Sequence, residues 1–373
     1  MRIGFDAKRA FSNKTGLGNY SRDTIRVLSY YFSDNKYFLY TPEDNQNPRM
    51  NFITDRDNTF VCTPESLLNR VLKPYWRSKS VVKDLSTNKI DIYHGLSNEL
   101  PLGIETTSIK TIVTIHDLIF IRFPDLFTAI DRNIYHRKFK SACVRANKII
   151  AVSEQTKRDI MDYFLVPGEK INVVYQGCNK IFQSEITKEQ KKAVINKHRL
   201  PEDYLLYVGN IEERKNLLTI LHTLKELPKQ NLVVIGDGKS YKIKCLKFID
   251  KNRLSDRIIF LSGLSLKEMA VIYQSAEIMI YPSIFEGFGI PILEALFSKT
   301  PVITSKGGCF LETGGPHSRY INPLLVSEMK EAIIEIQNSS SIKNKMREKG
   351  FEYAQNFTDD KIAKSLMRVY TSL

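Results

Sequence analysis

The sequence has no uninterrupted apolar run long enough to cross a bilayer. Its most apolar stretch, Ile109 to Ile121, is broken by Lys110, His116 and Asp117, whereas a spanning helix needs about 20 apolar residues. The opening MRIGFDAKRA passes from Met1 straight into a strand-like run. It lacks the charged region, longer apolar core and small-residue cleavage site of a secretory signal, so none is expected. Cysteine is scarce: Cys62, Cys143, Cys178, Cys245 and Cys309 are odd in number, scattered and without Cys-x-x-Cys spacing. That pattern fits reduced thiols acting as small buried hydrophobes, not disulfides or zinc ligands. With only 18 Gly and 14 Pro in 373 residues, collagen-like and low-complexity chains are excluded. Acidic residues are the last shortage, 41 against 55 Lys and Arg, for a formal net charge of +14. Such a surplus implies an anionic partner: nucleic acid, lipid headgroups or a phosphorylated substrate. Nucleic acid is disfavoured, because zinc-finger spacing, RNP-like aromatic strands and basic heptads are all missing.

What is present is globular. Hydrophobic residues make up 42%, enough for sizeable cores, and the length predicts two domains. Short runs rich in Ile, Val, Tyr and Phe recur between helix-like segments: RIGFD, KYFLY, DIYH, TIVTI, KIIAV and NVVY, then YLLYVG, NLVVIG, RIIFL, IMIYP and PVITS after Leu200. These read as buried parallel strands with crossover helices, giving two doubly wound α/β domains. The boundary falls in the polar stretch 176–192, giving domains 1–180 and 181–373, with the last helix able to return to the first. Two such domains would place a cleft between two sets of strand carboxyl ends, so residues just after strands are the site candidates.

After RIGFD comes Gly16-Leu17-Gly18 ahead of an apparent helix from Ser21, where glycines would let backbone N–H groups approach a phosphate. Ser21 stands in place of a third glycine, which disfavours a nicotinamide site. His116-Asp117 ends the TIVTI strand abruptly, and an imidazole there suits a sugar hydroxyl. In YVGNIEERKNLL, Arg214 and Lys215 precede a helix that Asn216 could cap, the outline of a diphosphate site. LVVIGDGKS is no P-loop, since Val233 stands where the first glycine is needed, and Asp55-Arg56-Asp57 reads as a surface loop. In YPSIFEGFGIPILEALF, Glu286 and Glu294 are separated by seven residues. That is too far for paired glycosidase carboxylates unless the loop folds back, so they would grip different parts of one elongated ligand. Gly287, Phe288 and Gly289 between them would offer backbone N–H groups to a pyrophosphate.

These segments resemble the retaining nucleotide-sugar glycosyltransferases of family four, with the two-domain GT-B fold. The resemblance runs through TGLGNY, TIHD, IIAVSEQTKRDI, GNIEERKN and FEGFGIPILE, nearly the whole chain. It implies that Arg214 and Lys215 hold the donor diphosphate, Glu286 the hydroxyls of the transferred sugar, and Glu294 the ribose. Gly287, Phe288 and Gly289 would add backbone contacts, Gly16 and Gly18 would close over the donor, and His116 would sit beside sugar and acceptor. The segment KGGCFLETGGPHSRYINP departs from the more regular one of relatives.

By the same resemblance no metal or separate cofactor is required, because cations and helix dipoles stabilise the leaving diphosphate. The combination of IGFDAKR and TGLGNYS is similar to bacterial mannosyltransferases of polysaccharide assembly. GDP-mannose is therefore the first expectation for the donor, a UDP-sugar the second, and a surface-glycan or polyprenyl-linked oligosaccharide the expected acceptor. Alternatives are another GT-B enzyme, such as a sugar-nucleotide epimerase, or a non-catalytic protein binding anionic surfaces. The expected location is the cytoplasm, with peripheral attachment to the inner face of the membrane. Two basic-aromatic clusters support that: Arg70, Lys73, Arg77, Lys79 and Lys83 around Tyr75 and Trp76, and the stretch from Arg132 to Lys148.

Overall fold

The apolar runs become parallel strands in the computed structural model, which describes residues 1–13, 15–44 and 48–373. Among these residues the chain divides into one unit of Met1–Gly177 with Asp359–Leu373, and a second of Cys178–Thr358. The division at Gly177 and Cys178 compares with 180 and 181 read from the sequence. In the first unit β1 (Arg2–Asp6), β2 (Lys36–Tyr40), β3 (Thr59–Cys62), β4 (Ile92–Gly95), β5 (Lys110–Ile115), β6 (Lys148–Ala151) and β7 (Ile171–Val173) form a sheet of order β3-β2-β1-β4-β5-β6-β7. In the second, β8 (Leu205–Val208), β9 (Leu232–Ile235), β10 (Ile258–Leu261), β11 (Ile278–Tyr281), β12 (Val302–Ser305) and β13 (Arg319–Ile321) follow the order β10-β9-β8-β11-β12-β13. All the pairings are parallel. Both units are thus doubly wound, and in each the order reverses beside the first strand, between β1 and β4 and between β8 and β11.

The central strands are apolar throughout because helices cover both of their faces. Ile3, Phe5, Ile112 and Val113 in one sheet, and Leu205, Val233, Ile278 and Met279 in the other, are fully buried. Each such side chain contributes about 1.5–3 kcal/mol relative to exposure. Two of the four edge strands, β3 and β13, are absent from the sequence reading. Each has one strand neighbour and a solvent-facing side: Phe60 is 39% exposed, and Arg319 in the three-residue β13 is exposed. Their apolar signal is correspondingly thin. The helices start where capping chemistry places them, with Ser265 and Glu268 forming a reciprocal box ahead of Leu266–Ser275 and Pro291 in the first turn of Ile290–Phe297.

The last helix, Asp359–Thr371, belongs to the first unit. It packs on the helix Gly16–Tyr31, where Arg26 makes a two-pronged pair with Asp359 at 2.7 and 2.9 Å. At its other end the Tyr370 hydroxyl meets His94 Nδ1 at 2.6 Å, and His94 Nε2 meets Thr114 Oγ1 at 2.8 Å. Burial and then the neighbouring His116 pull the His94 pKa down to about 3, so this imidazole is neutral near pH 7.

The Asp359 side chain is only 2% exposed, so removing Arg26 takes the two-pronged opposing charge away from a buried carboxylate. Arg26→Ala should therefore destabilise the first unit by about 3–5 kcal/mol in urea unfolding at neutral pH. A loss under about 1 kcal/mol would mean that this pair does not hold the last helix.

Candidate active site

The second unit gathers its charged residues at the point where the strand order reverses. Gly209 follows β8 at φ +145°, and a Cβ there would lie 3.0 Å from Lys215 Cδ. Gly236 follows β9 at φ +149°, and its Cβ would fall 2.0 Å from the Gly209 carbonyl oxygen. Only glycine satisfies both positions. The space they leave lets Lys215, from the short turn Glu213–Lys215, lie back over the end of β8. Asn216 does not cap the following helix with its side chain, as the sequence had led us to expect. It is in the left-handed region at φ +57°, and its amide is spent elsewhere: Nδ2 donates to Pro323 O at 2.6 Å, and Oδ1 accepts from Thr219 Oγ1 at 2.8 Å.

From the end of β11 come Tyr281, Ser283 and Glu286. Arg214 Nη1 lies 2.7 Å and Lys215 Nζ 2.9 Å from Glu286 Oε1. The Ser283 hydroxyl donates to the same oxygen at 2.7 Å and Tyr281 at 2.9 Å. Lys215 also donates to the Tyr281 hydroxyl at 2.7 Å. Arg214 bonds Glu212 at 2.5 Å and the Phe285 carbonyl. Burial alone would raise the Glu286 carboxyl, but the Lys215 and Arg214 charges, with hydrogen bonds from Lys215 and Ser283, hold it at about 2. All three charged side chains keep about a tenth of their surface accessible, 11% for each cation and 12% for Glu286. The result is a fixed carboxylate with two cations in a water-poor setting, able to accept from hydroxyls and to bind an anion.

Gly289 turns the chain into the helix Ile290–Phe297 at φ +102°, and Pro291 supplies no N–H in its first turn. Phe288 points its ring into the core against Phe357, with centroids 5.8 Å apart, and its carbonyl accepts from Thr313 at 2.6 Å. The Cys309 thiol donates to the Glu286 carbonyl at 3.1 Å. Glu294 stands apart from the ion cluster, on the helix, where the buried Tyr273 donates to it at 2.7 Å. The structure therefore brings Arg214, Lys215 and Glu286 into direct contact and gives Glu294 a separate partner.

Gly16, Gly18 and His116 lie in the first unit. The helix there begins at Gly16 and not near Ser21, since Thr15 is extended and both glycines adopt helical backbone. The two differ sharply in what they need. A Cβ at Gly18 would fall 2.0 Å from the Asn13 carbonyl oxygen, while one at Gly16 would meet nothing within 4 Å. His116, just past β5, donates from Nε2 to Leu96 O at 2.9 Å. A carbonyl only accepts, so Nε2 carries the proton and Nδ1 is the acceptor. Tyr20 packs edge-on against its ring at 4.6 Å, and burial holds the imidazole down to about 4.

Tyr281, Ser283, Glu212, Gly209 and Gly236 were not singled out from the sequence. Their one signal was position, each falling at or just after a strand end. The first basic cluster also needs correcting. Trp76 is buried and donates to Asp84 at 2.6 Å, and Arg77 turns inward to Asp6 and Glu99. Lys73 pairs with Glu43. Asp55 and Asp57 are exposed.

The carboxyl of Glu286 titrates lower in the folded protein than its ordinary 4.5. Its contribution to stability is therefore complete above about 4.5 and is lost as pH falls towards 2. Glu286→Gln should be less stable than wild type at pH 7, and the gap should narrow as unfolding is measured at pH values from about 5 down to 3. A gap independent of pH would contradict the ion cluster.

Residues 16–180 match the family described as Glycosyltransferase Family 4, and residues 188–355 the family described as Glycosyl transferases group 1. The chain is 30% identical to the O-antigen chain mannosyltransferase RfbU of Salmonella typhimurium, over 60% of this chain and 60% of that one. It is 24% identical to the O-antigen chain mannosyltransferase B of Escherichia coli over 100% of both. Among solved structures, HepE of Anabaena in complex with UDP-glucose superposes with a TM-score of 0.78 at 16% identity, over 100% of both chains. WaaG, a glycosyltransferase involved in lipopolysaccharide biosynthesis, does so with 0.72 at 16% identity, again over 100% of both. These structural likenesses establish the GT-B fold. The chain thus carries a Glycosyltransferase Family 4 segment followed by a Glycosyl transferases group 1 segment, the two together spanning most of its length, and it resembles the bacterial O-antigen mannosyltransferases.

Proposed function

We propose that the chain transfers a hexose, mannose in the first place, from a nucleotide-sugar to a hydroxyl of a surface-glycan or lipid-linked oligosaccharide, with retention of configuration and without a metal. The observation that carries this is the contact of Arg214 and Lys215 with Glu286. The donor brings a diphosphate that the two cations can hold, and a sugar whose hydroxyls can donate to the carboxylate. In the transfer the bond from the anomeric carbon to the diphosphate oxygen breaks and a bond to the acceptor oxygen forms on the same face. The acceptor proton passes to the departing phosphate. Charge grows on that leaving group, and fixed cations in a water-poor site stabilise it without reorganising. Glu286, held ionised, orients the sugar. Mannose is favoured by the names of the O-antigen relatives, which makes GDP-mannose the first donor to try. The UDP-glucose complex of the Anabaena protein keeps a UDP-sugar as the second.

A thermal-shift screen against GDP, UDP, ADP and their sugars identifies the donor, because a ligand bound only by the native state raises its stability. Lys215→Ala and Glu286→Ala should each lower turnover by about a hundredfold or more with the fold intact. Transfer should proceed in EDTA. Near-normal turnover in both variants, or complete loss in EDTA restored by magnesium, would overturn the mechanism.

We further propose that the first unit attaches peripherally to an anionic bilayer. Among the described residues no helix is long and apolar enough to cross a membrane. The helix Leu67–Val71 and the residues after it nevertheless expose Leu67 at 80%, Leu68 at 64% and Val71 at 78%, with Leu72 and Tyr75 exposed beside them. Exposed Arg70, Lys79 and Lys83 flank these side chains, an arrangement suited to the interface of an anionic leaflet. Replacing Leu67, Leu68 and Val71 by Ser should abolish co-sedimentation with phosphatidylglycerol vesicles at low salt and leave transfer to a soluble acceptor intact. Unchanged sedimentation would contradict the attachment.

A further inference from the structure

Lys215 reaches the ion cluster on a flexible four-carbon stem, yet its ammonium has a fixed seat. That seat is Tyr281, the last residue of β11. The Tyr281 carbonyl accepts from Thr304 Oγ1 at 2.9 Å, its ring packs edge-on to Phe310 with centroids 6.3 Å apart, and only 1% of the residue is exposed. The sheet thus sets the position of the phenol oxygen. This oxygen donates to Glu286 Oε1 at 2.9 Å and accepts from Lys215 Nζ at 2.7 Å, and the ammonium lies 4.9 Å from the centre of the same ring. Burial, and then the Glu286 charge, push the phenol pKa well above its ordinary 10.0. The hydroxyl therefore keeps its proton at neutral pH, gives it to the carboxylate and offers a lone pair to the ammonium.

An ammonium has three N–H donors. Glu286 engages one of those on Lys215 and Tyr281 a second, and among the described residues no partner takes the third. Two fixed acceptors set the direction of the N–H that remains. We infer that Tyr281 is a positioning residue for the transfer, its hydroxyl aiming the free N–H of Lys215 at the donor diphosphate. This rests on the reading of Arg214 and Lys215 as diphosphate ligands. The two acceptors on Lys215 do different things. Glu286 is an anion and competes with phosphate for the cation, whereas the phenol is neutral and gives direction without offsetting charge. A cation oriented in advance has less order to lose when the ligand arrives. Without the phenol oxygen Lys215 is left with the carboxylate alone, and a ligand has first to draw it away.

The test is a double-mutant cycle on the full chain, read by calorimetric titration with whichever of GDP, UDP and ADP wild type binds most tightly. Tyr281→Phe keeps the ring and removes one oxygen, and it should weaken binding about fivefold or more, the scale of one well-placed hydrogen bond. In a Lys215→Ala background the same replacement should change the affinity by less than about twofold, because the hydroxyl then has no ammonium to aim. Lys215→Met, which keeps the length of the stem, provides the background if the alanine variant does not fold. A hydroxyl that only supports the loop would weaken binding equally in both backgrounds. That result, or binding by Tyr281→Phe equal to wild type, would overturn the inference and leave the diphosphate reading standing. Binding of none of the three nucleotides by wild type would overturn the diphosphate reading itself, and the inference with it.

Discussion

One oxygen of Glu286 organises the second unit's site. A carboxylate this buried persists as an anion only if donors and cations converge on it, and here Lys215, Arg214, Ser283 and Tyr281 all do. They come from the ends of β8 and β11, so the contact ties together the two strands that flank the switch point. Much nearby structure follows from it. Gly209 has to lack a Cβ because Lys215 passes over it, Gly236 because Gly209 then lies against it. The Cys309 thiol has its hydrogen bond on the Glu286 carbonyl, and the Ser283 carbonyl is fixed by Ser305 at 2.6 Å. The cations are accordingly pre-positioned before any ligand arrives.

The two units repeat one arrangement with different charges. Each has a first strand whose end delivers cations, Lys8 and Arg9 in one and Arg214 and Lys215 in the other, and a strand across the switch point that delivers a carboxylate, Glu99 or Glu286. In the second unit both cations are satisfied by the carboxylate and are held ready for exchange. In the first, Arg77 pairs with Asp6 and Glu99, and Lys138 with Glu99.

Much of this was legible in the sequence. The central strands announced themselves because burial on both faces demands unbroken apolar runs. Glu286, Glu294 and the glycines between them stood out because two carboxylates flank a Gly-Phe-Gly turn that feeds a helix start. The edge strands β3 and β13 escaped notice because exposed positions, Phe60 in one and Arg319 in the other, thin their apolar runs, whereas the edge strands β7 and β10 keep theirs. Tyr281 and Ser283 were missed because a tyrosine ending an apolar run reads as core, and only the folded loop brings its hydroxyl to Glu286 and to Lys215 from the end of another strand. Trp76 and Arg77 were read as surface because composition cannot tell which side chain a tight π turn, Trp76–Ser80, directs inward.

The central claim is that Arg214 and Lys215 are diphosphate ligands that Glu286 holds in place, and not merely a structural ion pair. Calorimetric titration of the preferred nucleoside diphosphate into Lys215→Ala and Glu286→Gln separates these directly. Loss of a cation should weaken binding at least tenfold, about 1.4 kcal/mol, whereas neutralising the carboxylate should leave the affinity equal or tighter, since the cations are then released to the ligand. Equal weakening in both variants, or none in either, would contradict the account.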